Sequence, residues 1–178
     1  MWGLVGACVL LRWFPAEHFR VDLPMALTGT YERNLDSKQR LAIPRQLKEG
    51  FGDQALDELY LSPGNEGCLS LYSLRGFEDF AARMAQLSTG RQSVRRFLRL
   101  FYAQSERVQV DSQSRVRIPE RLISHAGLSK EAVLIGVQDH IEIWDRAGWE
   151  LFLKENGPQF DELTAAALDL PFSERDQG

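Results

Sequence analysis

The 178-residue sequence predicts an α+β fold in which two copies of a small unit share a pseudo-symmetric, β-barrel-like core with flanking helices. Three observations lead there. First, Leu35-Asp-Ser-Lys-Gln-Arg-Leu-Ala-Ile-Pro44 returns 75 positions later as Val110-Asp-Ser-Gln-Ser-Arg-Val-Arg-Ile-Pro119, with five of the ten positions identical. An internal repeat of this kind indicates duplicated supersecondary units. Second, each copy leads into a short helix and then a hairpin, and the exits match at an offset of 72: Leu71-Tyr72 with Ile143-Trp144, Phe77-Glu78 with Trp149-Glu150. Third, a half of about 75 residues buries too little surface to stand alone, so the halves are expected to share one core.

The elements follow in order. Thr28 to Leu35 has strand alternation, and Asp36-Ser37-Lys38-Gln39 is a turn because Asp and Ser side chains bond the backbone just ahead of them. Arg40 to Ile43 is a short strand stopped by Pro44, which has no N–H to donate. Arg45 to Glu49 makes a short helix ended by Gly50, and Leu59–Leu61 with Cys68–Tyr72 forms a hairpin around a turn-rich loop. The second half repeats this order: strand Arg107–Val110, turn Asp111–Ser114, strand Arg115–Ile118 closed by Pro119, helix Glu120–His125 ended by Gly127, and a hairpin of Ala132–Gly136 with Ile141–Trp144. Between the halves, Phe77, Phe80, Ala81 and Met84, then Val94, Phe97, Leu98 and Phe101, recur at helical spacing on either side of Ser88-Thr89-Gly90. A helix starting at Trp149–Leu153 and another over Asp161–Leu168 follow, with a loose tail from Pro171.

Charge is distributed unevenly. The net charge is −4, yet six acids and two bases lie from Lys154 onward, leaving 19 of each in the rest. Overall acidity therefore does not argue against nucleic acid; a local basic patch decides. Cys8 and Cys68 show no metal or disulfide spacing, which points to a reducing cytoplasm, and His18, His125 and His140 are scattered. No phosphate loop, dinucleotide turn, nucleophile elbow or metal cluster is present, so neither an enzyme nor a cofactor is expected. The paired Asp-Ser dipeptides do not make an aspartic protease, because Lys38 and Gln113 stand where that loop needs Gly. The apolar stretch Trp2–Leu11 is too short to span a bilayer and its arginines follow it, so residues 1–24 are read as an extension outside the fold, with Met25 as the functional start.

Candidate function gathers on the repeated turns. An Asp four residues before an Arg lets the carboxylate order the turn and aim the guanidinium. Asp36, Asp111, Pro44 and Pro119 are the turn-shaping residues, and Lys38, Arg40, Arg45, Arg115 and Arg117 form basic spots suited to phosphates or a guanine edge. Equally, the Asp–Arg pairs could simply tie the hairpins together. Arg91, Arg95 and Arg99 line one helix face, either as a solvated row, as partners for a neighbouring subunit's acids, or as a DNA contact.

Thr28-Gly-Thr-Tyr31 before the first motif, the second Asp111-x-x-x-Arg115, and Gly127-Leu-Ser-Lys-Glu131 together resemble the MraZ family of bacterial transcriptional regulators, over about Met25 to Phe152. The resemblance implies two tandem AbrB/SpoVT-type swapped-hairpin units, at 30–77 and 103–146. A helical connector over 78–102 would join them, and C-terminal helices with an acidic tail would fill 147–178. It implies a ring-shaped homo-oligomer at the nucleoid, binding double-stranded DNA at repeated boxes in the promoter of its own division and cell-wall gene cluster, with no membrane or small-molecule partner. Arg40 is the foremost contact by this resemblance, Lys38 beside it, and Arg115 follows by position. One departure stands out: the family's turns commonly place Gly before the motif Arg, where this chain has Gln39 and Ser114; Gln can adopt the left-handed backbone at modest cost, so the expectation is a turn reshaped rather than lost, with the aim of Arg40 changed more than the fold. An AbrB-like protein-interaction module such as an antitoxin is the alternative, and the duplicated unit argues against it.

Overall fold

A computed structural model describes residues 26–52 and 56–168; the expectations for residues 1–24 and for the tail from Pro171 lie outside them. The elements are β1 (Thr30–Asn34), β2 (Arg40–Ala42), α1 (Arg45–Gly50), β3 (Glu58–Pro63), β4 (Leu69–Tyr72), α2 (Leu74–Ala85), α3 (Gln92–Gln104), β5 (Glu106–Gln109), β6 (Arg115–Arg117), α4 (Glu120–Ala126), β7 (Glu131–Val137), β8 (His140–Asp145), α5 (Arg146–Asn156) and α6 (Phe160–Leu168). Helix α1 runs through Gly50 rather than stopping before it. Helix α4 ends as expected, with Gly127 left-handed at φ 56° and Leu128 N–H reaching back to the Ile123 carbonyl.

Six strands form one antiparallel sheet in the order β1-β7-β8-β4-β3-β5, and β2 pairs with β6 in a separate two-stranded ribbon. The halves exchange their first strands. β1 joins the second hairpin through β7, β5 joins the first hairpin through β3, and the hairpins meet along β4 and β8. The barrel-like closure expected from the sequence is absent: among the described residues no sheet closes, and β1 and β5 are the two edges of an open sheet. The cause is the length of β2 and β6. Pro44 and Pro119 lack the amide that would extend the ladder, so each strand stops after three residues, and beyond its own ladder the ribbon adds one bridge, Val116 to Val110, just past β5. Its last bonds run from Ile43 N–H to the Ser114 carbonyl and from Ile118 N–H to the Gln39 carbonyl.

The ribbon covers one face of the sheet. Leu41 and Val116, directly opposite each other in it, are fully buried, as are Ile118, Leu122, Leu59, Leu71, Leu134 and Ile143. Burial of each such side chain is worth about 1.5–3 kcal/mol, so this shared core is what makes two marginal halves one domain. The matched exits pack alike. Tyr72 meets Phe77 at 6.1 Å between ring centroids, and Trp144 meets Trp149 at 5.6 Å. Each precedes a capped helix: Ser73 accepts from Gly76 N–H, and Asp145 from Ala147 N–H. At Gly136 a Cβ would sit 2.4 Å from the Thr28 amide nitrogen; the absent side chain is what lets the segment before β1 lie against β7.

Candidate nucleic-acid interface

The two D-x-x-x-R turns are the same object built twice. Asp36 Oδ1 accepts the backbone N–H groups of Lys38 (2.8 Å) and Arg40 (2.9 Å), while Oδ2 accepts Arg40 Nε at 2.7 Å. In the second copy Asp111 Oδ1 takes Gln113 N–H and Arg115 N–H, both at 2.9 Å, and Oδ2 takes Arg115 Nε at 2.8 Å. Inside each loop the Asp carbonyl accepts from the residue three ahead, Gln39 at 2.9 Å and Ser114 at 2.8 Å. The residue before each Arg then takes the left-handed conformation that closes a three-residue hairpin loop. Gln39 has φ 59° and Ser114 φ 56°, so each turn closes with a side chain on its left-handed residue.

Because β2 and β6 run antiparallel, with Arg40 opposite Arg117 and Ala42 opposite Arg115, the two motifs approach each other. Arg40 Nη1 lies 3.8 Å from Asp111 Oδ2, and Arg115 Nη1 lies 3.7 Å from Asp36 Oδ2. Each turn also touches the helix that follows the other motif: Gln39 donates to the Glu120 carboxylate at the start of α4, and Lys48 of α1 donates to Ser114 Oγ at 3.2 Å. Both aspartates are ionised over a wide range. Backbone donation from Arg40, ahead of its guanidinium and Lys38 N–H, holds the Asp36 carboxyl below its ordinary 3.8 against partial burial. The Arg115 guanidinium leads in lowering Asp111, to about 2.

This geometry separates the basic residues named from the sequence. Arg40 and Arg115, expected as contacts, have their guanidinium groups on aspartates and side chains only 29% and 25% exposed. Arg45 is exposed and pairs with Glu49 on its own helix. Lys38 and Arg117 are exposed and take part in no ion pair among the described residues. These two border a groove of about 970 Å³ lined by residues 37–40, residues 106–109 of β5, and Arg117, Pro119 and Glu120. Arg107, which the sequence reading passed over as a strand residue, also lines it while pairing with Glu58. The alternation that exposes Arg107 and buries Val108 was legible in the sequence, but which groove that face borders depends on β5 lying beside the first turn in the fold. The arginine row of α3 lies elsewhere, on the connector. Arg95 there donates to the carbonyls of Thr89 and Gly90 and closes its own loop.

A family model described as "MraZ protein, putative antitoxin-like" matches the chain twice, over residues 26–100 and 101–170. The chain belongs to the MraZ family. Among curated MraZ relatives, Transcriptional regulator MraZ of Lactobacillus helveticus is 38% identical over 142 residues, spanning 80% of this chain and 96% of that protein. Transcriptional regulator MraZ of Mycoplasmoides gallisepticum is 39% identical over 141 residues, 79% of this chain and 96% of that protein. The Acetivibrio thermocellus protein of the same name is 36% identical over 124 residues, 70% of this chain and 84% of its own length. The two matched segments of the MraZ model correspond to the halves that exchange strands in the sheet.

Proposed function

We propose that this MraZ-family chain is a DNA-binding transcriptional regulator that works without catalysis, holding double-stranded DNA at repeated boxes in the promoter of its own division and cell-wall gene cluster. The observation that carries the reading is the pair of ordered turns within 3.8 Å of each other, flanked by the exposed, unpaired bases Lys38 and Arg117. Exposed cations beside a rigid turn suit phosphate contact, and such contacts position a protein on a duplex. Relatives at 36–39% identity bear the name transcriptional regulator, which agrees with this reading.

One pair of turns offers few contacts, so affinity has to come from repetition. A ring-shaped homo-oligomer at the cytoplasmic nucleoid would set several turn pairs against several boxes and raise the effective concentration of each. Two faces support self-association. Helix α3 and its N-cap expose Arg91, Arg95 and Arg99 beside Phe97 and Leu100, while α5 and α6 expose Glu155, Asp161 and Glu162 beside Leu151, Phe160 and Leu163. The antitoxin reading of an AbrB-like module is second, supported by the family description alone. The test is fluorescence anisotropy with a duplex from the region upstream of the chain's own gene, against a scrambled duplex of equal length. Tighter binding to the former, weakening with salt, is expected; equal affinity for both, or binding to neither, rejects the proposal.

A further inference from the structure

The face of the sheet turned away from the ribbon carries a row of charges that only the second half supplies. Along β4 and β8, Leu69, Leu71, Ile141 and Ile143 are buried in the core with the ribbon, and the alternate positions, Ser70, Tyr72, His140, Glu142 and Trp144, belong to the other face. There His140 stacks on Tyr72 with ring centroids 4.9 Å apart. Arg83 Nη2 of α2 donates to Asp139 Oδ2 at 3.0 Å, and Asp139 Oδ1 lies 2.8 Å from His140 Nδ1. On the far side of the ring His140 Nε2 faces Glu142 Oε1 at 3.7 Å, and Glu142 Oε2 accepts the Trp144 indole N–H at 2.9 Å. Trp144 in turn packs on Trp149 and Phe152 of α5. The row therefore runs from the aromatic cluster of Tyr72 with α2 to that of Trp144 with α5. The residues 72 positions before His140 and Glu142 are Cys68 and Ser70, so the first half has no such row.

An ionised carboxylate only accepts, and a neutral imidazole carries a single N–H. A ring with a carboxylate at each nitrogen is complete only as imidazolium, when Arg83, Asp139, His140 and Glu142 alternate in sign and sum to zero. Burial by itself would push His140 down, but Glu142 and Asp139 outweigh it and hold the ring above its ordinary 6.5. The His140 ring leads in holding Glu142 low against burial, with the Trp144 indole helping, whereas Asp139, which burial would raise, is held low by His140 and Arg83 together. The other titratable groups against the row stay neutral: burial pushes the Tyr72 phenol and the Cys68 thiol each up to about 12. We propose that His140 is a proton latch for α5: as imidazolium it holds Glu142, and through the Trp144 indole the α5 cluster, on the sheet, and as a neutral ring it lets Glu142 turn to water while Asp139 keeps Arg83 and α2 in place. The one-sidedness follows from the partners. Asp139 has two cations, and Glu142 has His140 alone among the described residues. Because the folded value lies above 6.5, the stability His140 supplies is fully present below pH 6.5 and is lost as the pH rises through the folded value.

Hydrogen exchange on the full chain, read by mass spectrometry, tests this at two levels. Exchange at the histidine ring carbon should give a His140 midpoint above 6.5, and a midpoint at or below 6.5 overturns the latch. Backbone amides then locate the effect. At about pH 6 the α5 amides of His140→Gln should exchange about two- to fivefold faster than those of the wild type, the range for losing a partly exposed ion pair. By about pH 9 the wild-type ring is neutral too, so the ratio should shrink to near unity, and α2 amides should match at both values. A ratio that stays the same at high pH would make His140 a packing residue, and loosening of α2 in place of α5 would reverse the row; either result overturns the proposal. Glu142→Gln keeps the shape, so it serves where His140→Gln fails to fold. It should lower the His140 midpoint and abolish the pH dependence of α5, and an unmoved midpoint rejects the pairing. Arg83→Gln should loosen α2 at both pH values and leave the pH dependence of α5 intact; its loss there would show that the latch runs through α2. The latch needs neither DNA binding nor self-association, so these outcomes stand apart from the fate of those readings.

Discussion

The two turns of this protein have the same internal geometry and different surroundings. Between Asp36 and Arg40, and between Asp111 and Arg115, every corresponding hydrogen bond agrees to within 0.1 Å. Around them the residues have diverged: Lys38 corresponds to Gln113, Ala42 to Arg117, and Arg45 to Glu120. Antiparallel pairing of β2 with β6 then brings Arg117 from the second copy beside the first turn, next to Lys38, and leaves Ala42 beside the second. Duplication thus preserved the backbone device, because a change in Asp, Arg or Pro would break the turn itself. The solvent-facing positions were free to concentrate unpaired charge on one side.

Four experiments test that contrast, in falling order of expected effect. Leu41 and Val116 face each other at the centre of the ribbon with no exposure. Leu41→Ala should cost about 2–5 kcal/mol, by the transfer and cavity cost of a buried leucine, and Val116→Ala less, as seen in thermal melting. A larger loss at Val116 would mean that the second copy carries more of the shared core.

Next comes the charge asymmetry. Lys38→Ala should weaken promoter binding about tenfold and reduce the salt dependence of log K by about 1, the value for one phosphate contact. Gln113→Ala at the matching position should leave both unchanged in the same titration, and equal losses would make the turns functionally equivalent.

Acid should act in part through the two motif aspartates. Both aspartates titrate below their ordinary value when folded, Asp111 near 2 against 3.8. Their contribution is therefore present above pH 3.8 and lost as the pH falls toward 2, because the unfolded chain takes up those protons first. The melting temperature of Asp111→Asn should vary less with pH across that window than that of the wild type. Parallel curves would show that Asp111 is not held as described.

The smallest effect is at the left-handed residues. Gly fits a φ of 56° without the Cβ penalty, so Ser114→Gly should stabilise by about 0.5–1 kcal/mol. Gln39→Gly should gain less, since it also removes the bond to Glu120. Calorimetry on the two variants would show the difference, and a loss at Ser114 would assign more weight to its contact with Lys48.

Most of the local structure was legible in the chain. Pro44 and Pro119 ended strands where the missing amide required it, and the α2 and α3 stripes lay at the spacing that buries Phe77 and Phe101. At Gln39 and Ser114 the family resemblance suggested a reshaped turn, and the structure instead keeps the left-handed backbone at both. The boundaries at Gly50 and Val110 moved by a residue, because helix ends and strand ends are fixed by what packs beside them.

The open sheet and the pairing of strands between halves were not legible, and neither was the meeting of Arg40 with Asp111. A repeat says that two units resemble each other, while strand exchange depends on which edges find each other in space. Sequence by itself determined the two turns, the residues that shape them and the family to which they belong, because those rest on contacts within five residues. Tertiary structure alone decided that the motif arginines face each other's aspartates and that the unpaired bases gather at the first turn. Those outcomes depend on the register of a three-residue ribbon whose strands lie 75 positions apart.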